Sequence, residues 1–463
     1  MKTFFTKSAL YLALTIPAFF FLGCDDSEEG GSYEFSVEPT VLTFSAKQET
    51  QTLSVRTYGD WSIVLPQDAA WLKVSAMSGR GPAEIEVTAE NYYRTDTSRT
   101  ARLTVTGGNS GDFPVEVVQQ KLQMNDLSAA GKANCYIVPT SGDFVIDAAT
   151  QGNSESEQVG EWTSAELLWE DNRELITDLY GDPESKRIFF STAAAGNAVI
   201  AVKGASGKIL WSWHIWATDF DPNAKTLKYT NDNGSTWEFM DRNLGAANAE
   251  SGSFGAFGLL YQWGRKDPFT AATAFAPENP SETIRWNMLN NPLPAMASDA
   301  DSMGTVQLSI EHPTSFYVTR YAHGDWNGQP DPDLWGAVSG QKTVYDPCPA
   351  GWRVPAYDAQ GDSPYAFVTR QTTTGTDNIG RIYTDGNGND FLFPVAGSRV
   401  NGTGTLDCPG NYGSLWTATG KTTSNEDGTI EYGCLLFFTT GRLVSATYYD
   451  TRSQGVSVRC VKE

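Results

Sequence analysis

The chain has 463 residues and a formal net charge of −22, with 33 Lys and Arg against 55 Asp and Glu. So negative a surface repels phosphate backbones, and we expect no nucleic-acid partner. Three histidines leave little material for zinc sites or histidine-based acid–base chemistry. Abundant Gly, Trp, Tyr and Phe between short apolar runs favour β-rich domains over helical bundles.

Residues 1–24 have the pattern of a secretory signal. Lys2 and Lys7 precede an apolar run, 9–22, that ends just before Gly23 and Cys24. The run is shorter than a typical membrane span and lacks a basic stop, which argues against a transmembrane anchor. Its ending resembles the lipobox of bacterial lipoproteins. That resemblance implies that Cys24 becomes an N-terminus carrying lipid such as palmitate, anchored in the outer membrane.

Residues 25–33 follow as an acidic, glycine-containing segment. Its composition predicts a solvated tether rather than part of a core. The segment Asp25–Gly31 also resembles the acidic export signals that carry some Bacteroidetes lipoproteins to the outer face of the outer membrane. The resemblance implies exposure at the cell surface.

In residues 34–122, apolar residues recur with a period of two. Seven short alternating or β-branched runs separated by Gly, Asp, Pro or Asn predict an immunoglobulin-like sandwich. The order Trp61, Pro66, Trp71, then 78–81 and 117–119, resembles the BACON domain, a family found beside carbohydrate-active and adhesive modules. Trp61 alternates with apolar neighbours, so we expect it in the core and not at a ligand.

Residues 123–225 form a second strand-rich stretch, predicted to be a separate β-rich domain. In the run 211–216, alternation places Trp211 and Trp213 on one face and His214 and Trp216 on the other. A lone histidine on a strand is usually part of a hydrogen-bonded structure. We therefore predict that His214 is structural and not catalytic.

Residues 226–463 differ in sequence character from the preceding strand-rich stretches. They contain conspicuous motifs at 237–246, 258–268, 345–355, 393–399 and 457–460. In this order the motifs resemble the Fibrobacter succinogenes major paralogous domain, which is related in outline to C-type-lectin-like folds. The resemblance implies a mixed α+β, loop-rich domain whose N- and C-terminal segments meet. A fold does not by itself bring an activity.

Five cysteines remain once Cys24 is set aside, and an exported location permits disulfides. The four in the last domain allow three pairings. The lectin-like resemblance implies Cys348–Cys460, and we expect Cys408–Cys434 as the second bond. Cys135 is then left over, and we expect it to be buried as a small apolar group.

The long irregular stretch 321–336 combines aromatic rings with carboxylates. Sugar rings stack on aromatic faces while carboxylates accept from their hydroxyls, so we take Trp326, Asp331, Asp333 and Trp335 as ligand-binding candidates. The alternative is that the two tryptophans are buried anchors that pin the loop. The tripeptide ending at Asp331 matches a sugar-binding motif of some C-type lectins but precedes Cys348, so a proline turn explains it better.

Segment 385–390 looks like the start of a calcium loop. An EF-hand would need Glu at the twelfth position, where Ala396 stands, and a turn before a strand explains the same residues. No nucleophile, zinc-protease or phosphate-loop motif occurs, and no carboxylate pair stands out. We therefore predict no catalytic residues, no cofactor and no bound metal.

The alternating patterns predict immunoglobulin-like β-sandwiches, and the resemblance of the last stretch implies that an α+β, C-type-lectin-like domain follows them. The function expected of such a chain is glycan binding or adhesion by a non-catalytic surface lipoprotein. Two alternatives stay open: a structural, tip or accessory subunit of a surface assembly that recognises protein, and a hydrolase whose site is hidden in the loops.

Overall fold

The computed structural model describes residues 35–94, 97–107, 110–272, 304–319, 324–370, 380–425, 428–440 and 443–463. The predicted signal peptide, 1–24 with its Cys24, and the predicted tether, 25–33, lie outside these residues. The described chain consists mainly of β-strands and divides into two compact units, Met1–Leu122 and Gln123–Glu463. Among the residues described, no helix is long and apolar enough to cross a bilayer.

The first unit is a sandwich of two sheets. Its strands are β1 (Ser36–Glu38), β2 (Val41–Phe44), β3 (Glu49–Arg56), β4 (Asp60–Val64), β5 (Leu72–Val74), β6 (Ser78–Arg80), β7 (Ala83–Ala89), β8 (Arg99–Thr106) and β9 (Asp112–Gln119). One sheet has the order β1-β3-β7-β5, and the other has the order β2-β9-β8-β4-β6. The all-β sandwich expected for this part of the chain is confirmed.

Strand alternation builds the core of the first unit. In β7 the buried positions are Ile85, Val87 and Ala89, and the residues between them are more exposed. Trp61 is also buried, and its Nε1 donates to the carbonyl of Gly81 at 3.0 Å. Trp61 therefore belongs to the core, as its alternation predicts.

The second unit begins with another pair of sheets. Their strands are β10 (Asn125–Asp126), β11 (Cys135–Val138), β12 (Gly142–Asp147), β13 (Ser164–Glu170), β14 (Ile176–Asp182), β15 (Arg187–Thr192), β16 (Gly196–Lys203) and β17 (Ile209–Ala217). The sheet orders are β10-β12-β15-β14 and β11-β17-β16-β13. In β17, Trp211, Trp213 and Ile215 enter one apolar cluster while Trp216 enters another, so the predicted alternation is confirmed.

The rest of the second unit is strand- and loop-rich. Its strands are β18 (Thr226–Thr230), β19 (Thr236–Met240), β20 (Leu259–Gln262), β21 (Phe269–Thr270), β22 (Trp352–Arg353), β23 (Gly380–Thr384), β24 (Asp390–Pro394), β25 (Ser398–Arg399), β26 (Leu406–Asp407), β27 (Tyr412–Asn425), β28 (Gly428–Thr439), β29 (Val444–Thr451), β30 (Gly455–Ser457) and β31 (Val461–Lys462). The described α-helices are two short ones, α1 (Val306–Glu311) and α2 (Ala366–Arg370), and 3-10 helices lie at Leu127–Ala130 and Phe254–Ala256.

The stretches predicted as two domains, 123–225 and 226–463, lie in one compact unit and share a core. Trp169 and Trp216 from the earlier strands join Trp263, Trp335 and Trp352 in a single buried cluster. Burying aromatic surface of this size stabilises the folded state strongly. The two stretches are therefore joined by a shared aromatic core.

Hydrogen bonds link the two stretches as well. Asn134, which precedes β11, donates through Nδ2 to the carbonyls of Val344 and Asp346 at 2.6 and 2.9 Å. Its Oδ1 accepts from Trp211 Nε1 at 3.1 Å. One buried side chain thus holds the turn before Cys348 against β17.

A disulfide joins Cys348 to Cys460, with a sulfur–sulfur distance of 2.01 Å. Next to the disulfide, β31 pairs with both β22 and β19. The C-terminal strand is therefore an interior strand of its sheet. The bond predicted between these cysteines is confirmed. Cys135 is fully buried with a free thiol, also as expected.

The second predicted bond, Cys408–Cys434, is wrong, because both thiols are free in the structure. Cys408 follows β26, where its Sγ lies 3.2 Å from Asp407 Oδ1. The β27–β28 register pairs Tyr412 with Thr439, so the chain near Cys408 meets β28 at its far end and not at Cys434.

Candidate functional site

The loop proposed from sequence to stack against sugars is packed inside the second unit. Trp326 is 1% exposed and Trp335 is 0% exposed. Trp326 Nε1 donates to the Trp263 carbonyl at 2.7 Å, and the rings of Trp335 and Trp263 lie 5.6 Å apart. Neither ring has a face available to a ligand, so the prediction that they bind sugar is wrong and the anchor alternative is right.

The two carboxylates of that loop organise a turn. Asp331 Oδ1 accepts from the Asp333 amide at 2.8 Å, and Asp333 Oδ1 accepts from the amides of Val338 and Ser339. Partial burial disfavours ionisation of Asp333, but these amide hydrogen bonds outweigh it and hold its pKa below the ordinary value. The structure therefore does not bring the four predicted residues together as an open site.

A group of five aromatic side chains, two of them exposed, lies instead on the sheet formed by β27, β28 and β29. We call this group the aromatic strip, and its members are Tyr412, Tyr432, Phe437, Tyr448 and Tyr449. Tyr448 is 44% exposed and Tyr449 is 39% exposed, whereas the other three rings are half-buried. These two adjacent tyrosines leave part of their ring surface open to solvent.

The strip is continuous from ring to ring. The centroid distances are 5.5 Å for Tyr412–Phe437, 5.0 Å for Phe437–Tyr448, 6.3 Å for Tyr448–Tyr449 and 5.0 Å for Tyr449–Tyr432. Such spacings are typical of interacting aromatic pairs. Tyr448 and Tyr449 are consecutive in β29 and leave opposite faces of the sheet, and β29 is an edge strand among the described strands. The strip therefore runs from one face to the other around this edge, across three neighbouring strands.

A positive charge lies at one end of the strip. Lys421 Nζ is 3.7 Å from the centroid of the Tyr449 ring, a cation–π distance. The register explains the placement, since Lys421 of β27 faces Tyr432 of β28. The strip therefore offers ring faces, phenol groups and one ammonium group. These groups can bind a ligand noncovalently.

A buried charge network holds the backbone beneath the strip. Arg452 Nη1 donates to Asp325 Oδ2 at 2.9 Å, and its Nη2 forms an ion pair with Glu431 Oε2 at 3.1 Å. The guanidinium carbon lies 4.2 Å from the centroid of the Trp263 ring. Burial raises the pKa of Asp325, although the charge of Arg452 opposes that effect. Because Glu431 directly precedes Tyr432, the network fixes the position of the strip on the core.

Other buried charges are also engaged in structural contacts. Lys266 Nζ donates to Asp267 Oδ1 at 2.7 Å and to the Ser212 carbonyl at 3.0 Å, and burial lowers the pKa of Lys266. His214 Nε2 lies 2.9 Å from Asn197 Oδ1, and burial lowers its pKa to about 3. His214 is therefore neutral at physiological pH and hydrogen-bonded on its strand, as predicted.

The stretch that looked like a calcium loop is a turn between β23 and β24. Asp385 Oδ1 accepts from the amides of Asn387 and Asn389 at 2.9 and 2.8 Å. These bonds are those of an Asx turn. Within the described ranges, no three His, Cys, Asp or Glu side chains are grouped so that they could hold a metal ion.

The first unit has a hollow of about 760 Å³ on the outer face of its five-stranded sheet. Thr40, Arg102 and Glu116 are among its lining residues, and none of the described residues that line it is aromatic. Arg102 and Glu116 face each other across β8 and β9. This hollow can form polar contacts but offers no ring for stacking.

Sequence reasoning missed the aromatic strip. Alternation places residues of β29 on two faces, but it does not say which face stays uncovered. The one sequence signal for the strip is the adjacent pair Tyr448 and Tyr449, since adjacent residues of a strand cannot both point into one core.

Comparison with known proteins identifies one family. Residues 61–120 match the model of the BACON family, described as "Putative binding domain, N-terminal". No curated protein matches the chain.

Several solved structures resemble parts of the chain. A GH5 xyloglucanase from Bacteroides ovatus, in complex with a XXXG heptasaccharide, is 24% identical over 23% of this chain and 27% of that chain, with a TM-score of 0.18. A Bacteroides thetaiotaomicron protein solved by NMR is 19% identical over 22% of this chain and 100% of that chain, with a TM-score of 0.16. A PapD-like domain of human CEP192 is 11% identical over 24% of this chain and 100% of that chain, with a TM-score of 0.17.

These structural likenesses are short. The chain spans about a quarter of the xyloglucanase, and TM-scores this low carry no argument about activity or ligand. The family match is what remains, and it lies entirely within the first unit. Residues 61–120 therefore match the BACON family, and the N-terminal sandwich is BACON-like.

Proposed function

We propose that this protein is a non-catalytic lipoprotein of the outer membrane, displayed at the cell surface, that binds glycans through the aromatic strip. The exposure of Tyr448 and Tyr449 on a continuous row of rings is the observation that carries the proposal. The BACON domain in the first unit supports a binding role in general.

The chemistry of the strip favours sugars. Pyranose rings present flat apolar faces that stack on aromatic rings, and phenol or ammonium groups bond to their hydroxyls. A shallow row of rings binds each sugar weakly, which suits a repetitive polymer. Display of many copies on a membrane would then raise avidity without any new contact.

The strip predicts a specific loss of binding. We expect Tyr448→Ala combined with Tyr449→Ala to weaken glycan binding about tenfold, because two stacking faces worth roughly 0.5–1.5 kcal/mol each are removed. Residues 25–463 would first be screened on a glycan array, and affinities for the hits then measured by calorimetry.

Tyr180→Ala is the matched control. Tyr180 is 39% exposed, as Tyr449 is, but lies in β14 on a different sheet. Its substitution should leave the affinity unchanged. Equal affinities for the double variant and the unaltered protein would remove the strip as the binding site. Steady release of shorter sugars from any bound polysaccharide would favour the hydrolase alternative.

The proposed location has its own test. Cys24→Ser should prevent acylation, because the thiol is the attachment point that the lipobox resemblance implies. In cells fed a labelled fatty acid, the unaltered protein should carry label and partition into detergent, and the variant should do neither. Lipid label on the Cys24→Ser protein would refute the anchor.

A further inference from the structure

A groove of about 670 Å³ opens in the second unit, away from the aromatic strip. Its walls come from the segment around β10, from the loop 218–223 and from the turn 349–352, and one side is strand β11. Leu127, Ile137, Phe220 and Ala350 are half-buried and supply much of its apolar lining. The volume lies in the range of sites that hold a substantial ligand.

Strand β11 has a free side along this groove. In the described part of the chain it is the edge of its sheet and pairs with β17 alone, in parallel. Asn134 O accepts from the His214 amide, and Val138 O accepts from the Thr218 amide, so the even-numbered residues bond to β17. Because residues of a parallel ladder alternate between sides, the N–H and C=O of Ile137 point toward the groove.

Outward backbone groups on an edge strand form a template for another strand. The segment that lines the groove opposite β11 includes β10, itself at the edge of the other sheet. The groove therefore lies at the open margin of a sandwich, where an added strand would find hydrogen bonds on one side and apolar walls above and below.

The charges at the groove select the occupant. Asp219 and Asp221 line it, and both are exposed. Asp221 accepts from the Asn223 amide at 2.9 Å, a bond that holds the carboxylate without neutralising its charge. The whole protein carries a net charge of −22, so a second acidic segment would be repelled.

We infer that the groove receives an extended segment of a partner protein, with alternating apolar and basic side chains, which adds as a strand to the free edge of β11. Main-chain bonds to Ile137 give the affinity, apolar side chains contact the walls, and Lys or Arg side chains meet Asp219 and Asp221. This is a second binding activity, independent of the glycan site.

The test uses a fluorescein-labelled ten-residue peptide of alternating valine and lysine, with residues 25–463 and fluorescence anisotropy as the readout. We expect saturable binding that weakens with salt, and much weaker binding of the same peptide with glutamate in place of lysine. Absence of saturable binding at millimolar peptide, or equal binding of both peptides, would overturn the inference.

Two variants of β11 separate strand addition from simple adsorption. Ile137→Pro removes the outward N–H without touching the ladder to β17, and should weaken binding about tenfold. Ile137→Val keeps that N–H and should bind almost as the unaltered protein does. Equal affinities for the two variants would exclude strand addition.

A third variant keeps the inference testable if Ile137→Pro does not fold, which near-ultraviolet circular dichroism would reveal. Asp219→Asn with Asp221→Asn removes two charges and retains both side-chain acceptors. This double variant should bind the lysine peptide more weakly at low salt. Its affinities for the lysine peptide and the glutamate peptide should become equal. Unchanged discrimination between the peptides would contradict the charge argument. Glycan binding should be the same in all these variants, so failure of either site can be recognised separately.

Discussion

Replacing both Cys348 and Cys460 by serine is expected to lower the free energy of unfolding of the second unit by roughly 4–5 kcal/mol. The bond closes a loop with a sequence separation of 112, and chain entropy predicts about 4.7 kcal/mol for a loop near 100 residues. Both cysteines are fully buried, so the two serines also place hydroxyl groups in the interior, where an unpaired polar group is costly.

The measurement is urea unfolding followed by tryptophan fluorescence, without reductant. Cys408→Ser is the control, because Cys408 is a free, half-exposed thiol in the same unit and its substitution should change stability by about 0.5 kcal/mol or less. Coincident unfolding curves for the double variant and the unaltered protein would show that the bond does not stabilise the unit. A joined pair of peptides in a non-reducing digest would verify the bond itself.

The second large effect is expected at Trp335. Trp335→Ala should cost roughly 3–5 kcal/mol, because a fully buried indole that packs on Trp263 is deleted from the core. Its Nε1 also donates to the Tyr345 carbonyl at 3.1 Å, and that acceptor would lose its partner. The same unfolding experiment measures the loss.

Val338→Ala is the matched control in this loop, since Val338 is 71% exposed and should tolerate truncation. Trp335→Phe should retain enough of the packing to fold, and glycan affinity should then equal that of the unaltered protein. Reduced affinity in a fully folded Trp335→Phe protein would return the ligand site to this loop. An unchanged unfolding free energy for Trp335→Ala would contradict the burial.

The local sequence pattern was sufficient to predict burial wherever the position of a side chain in its own strand decides which way it points. The period of two in β7 predicts which residues enter the sandwich core. The run Trp211–Trp216 likewise predicts two faces, and the two faces enter two separate clusters. In both strands the pleat alone decides the direction of each side chain.

Pattern was insufficient wherever an environment depends on segments far apart in the chain. Trp335 and Tyr449 are both aromatic residues, and neither sequence position shows whether a distant segment packs over the ring. Trp335 is covered because Trp263 and the turn before Cys348 pack over it. Tyr449 lies on a sheet face where no other described segment covers it fully, and it remains 39% exposed.

By itself, then, the sequence determined the strand-rich architecture, the core of the N-terminal β-sandwich and, through resemblance, the Cys348–Cys460 bond. Only the tertiary structure decided that residues 123–463 form one unit, which thiols stay free, and which aromatic rings and strand edges face solvent. The physical reason is that the direction of a side chain is set by the backbone next to it. Whether that side chain is covered is set by long-range packing, which alternation does not encode.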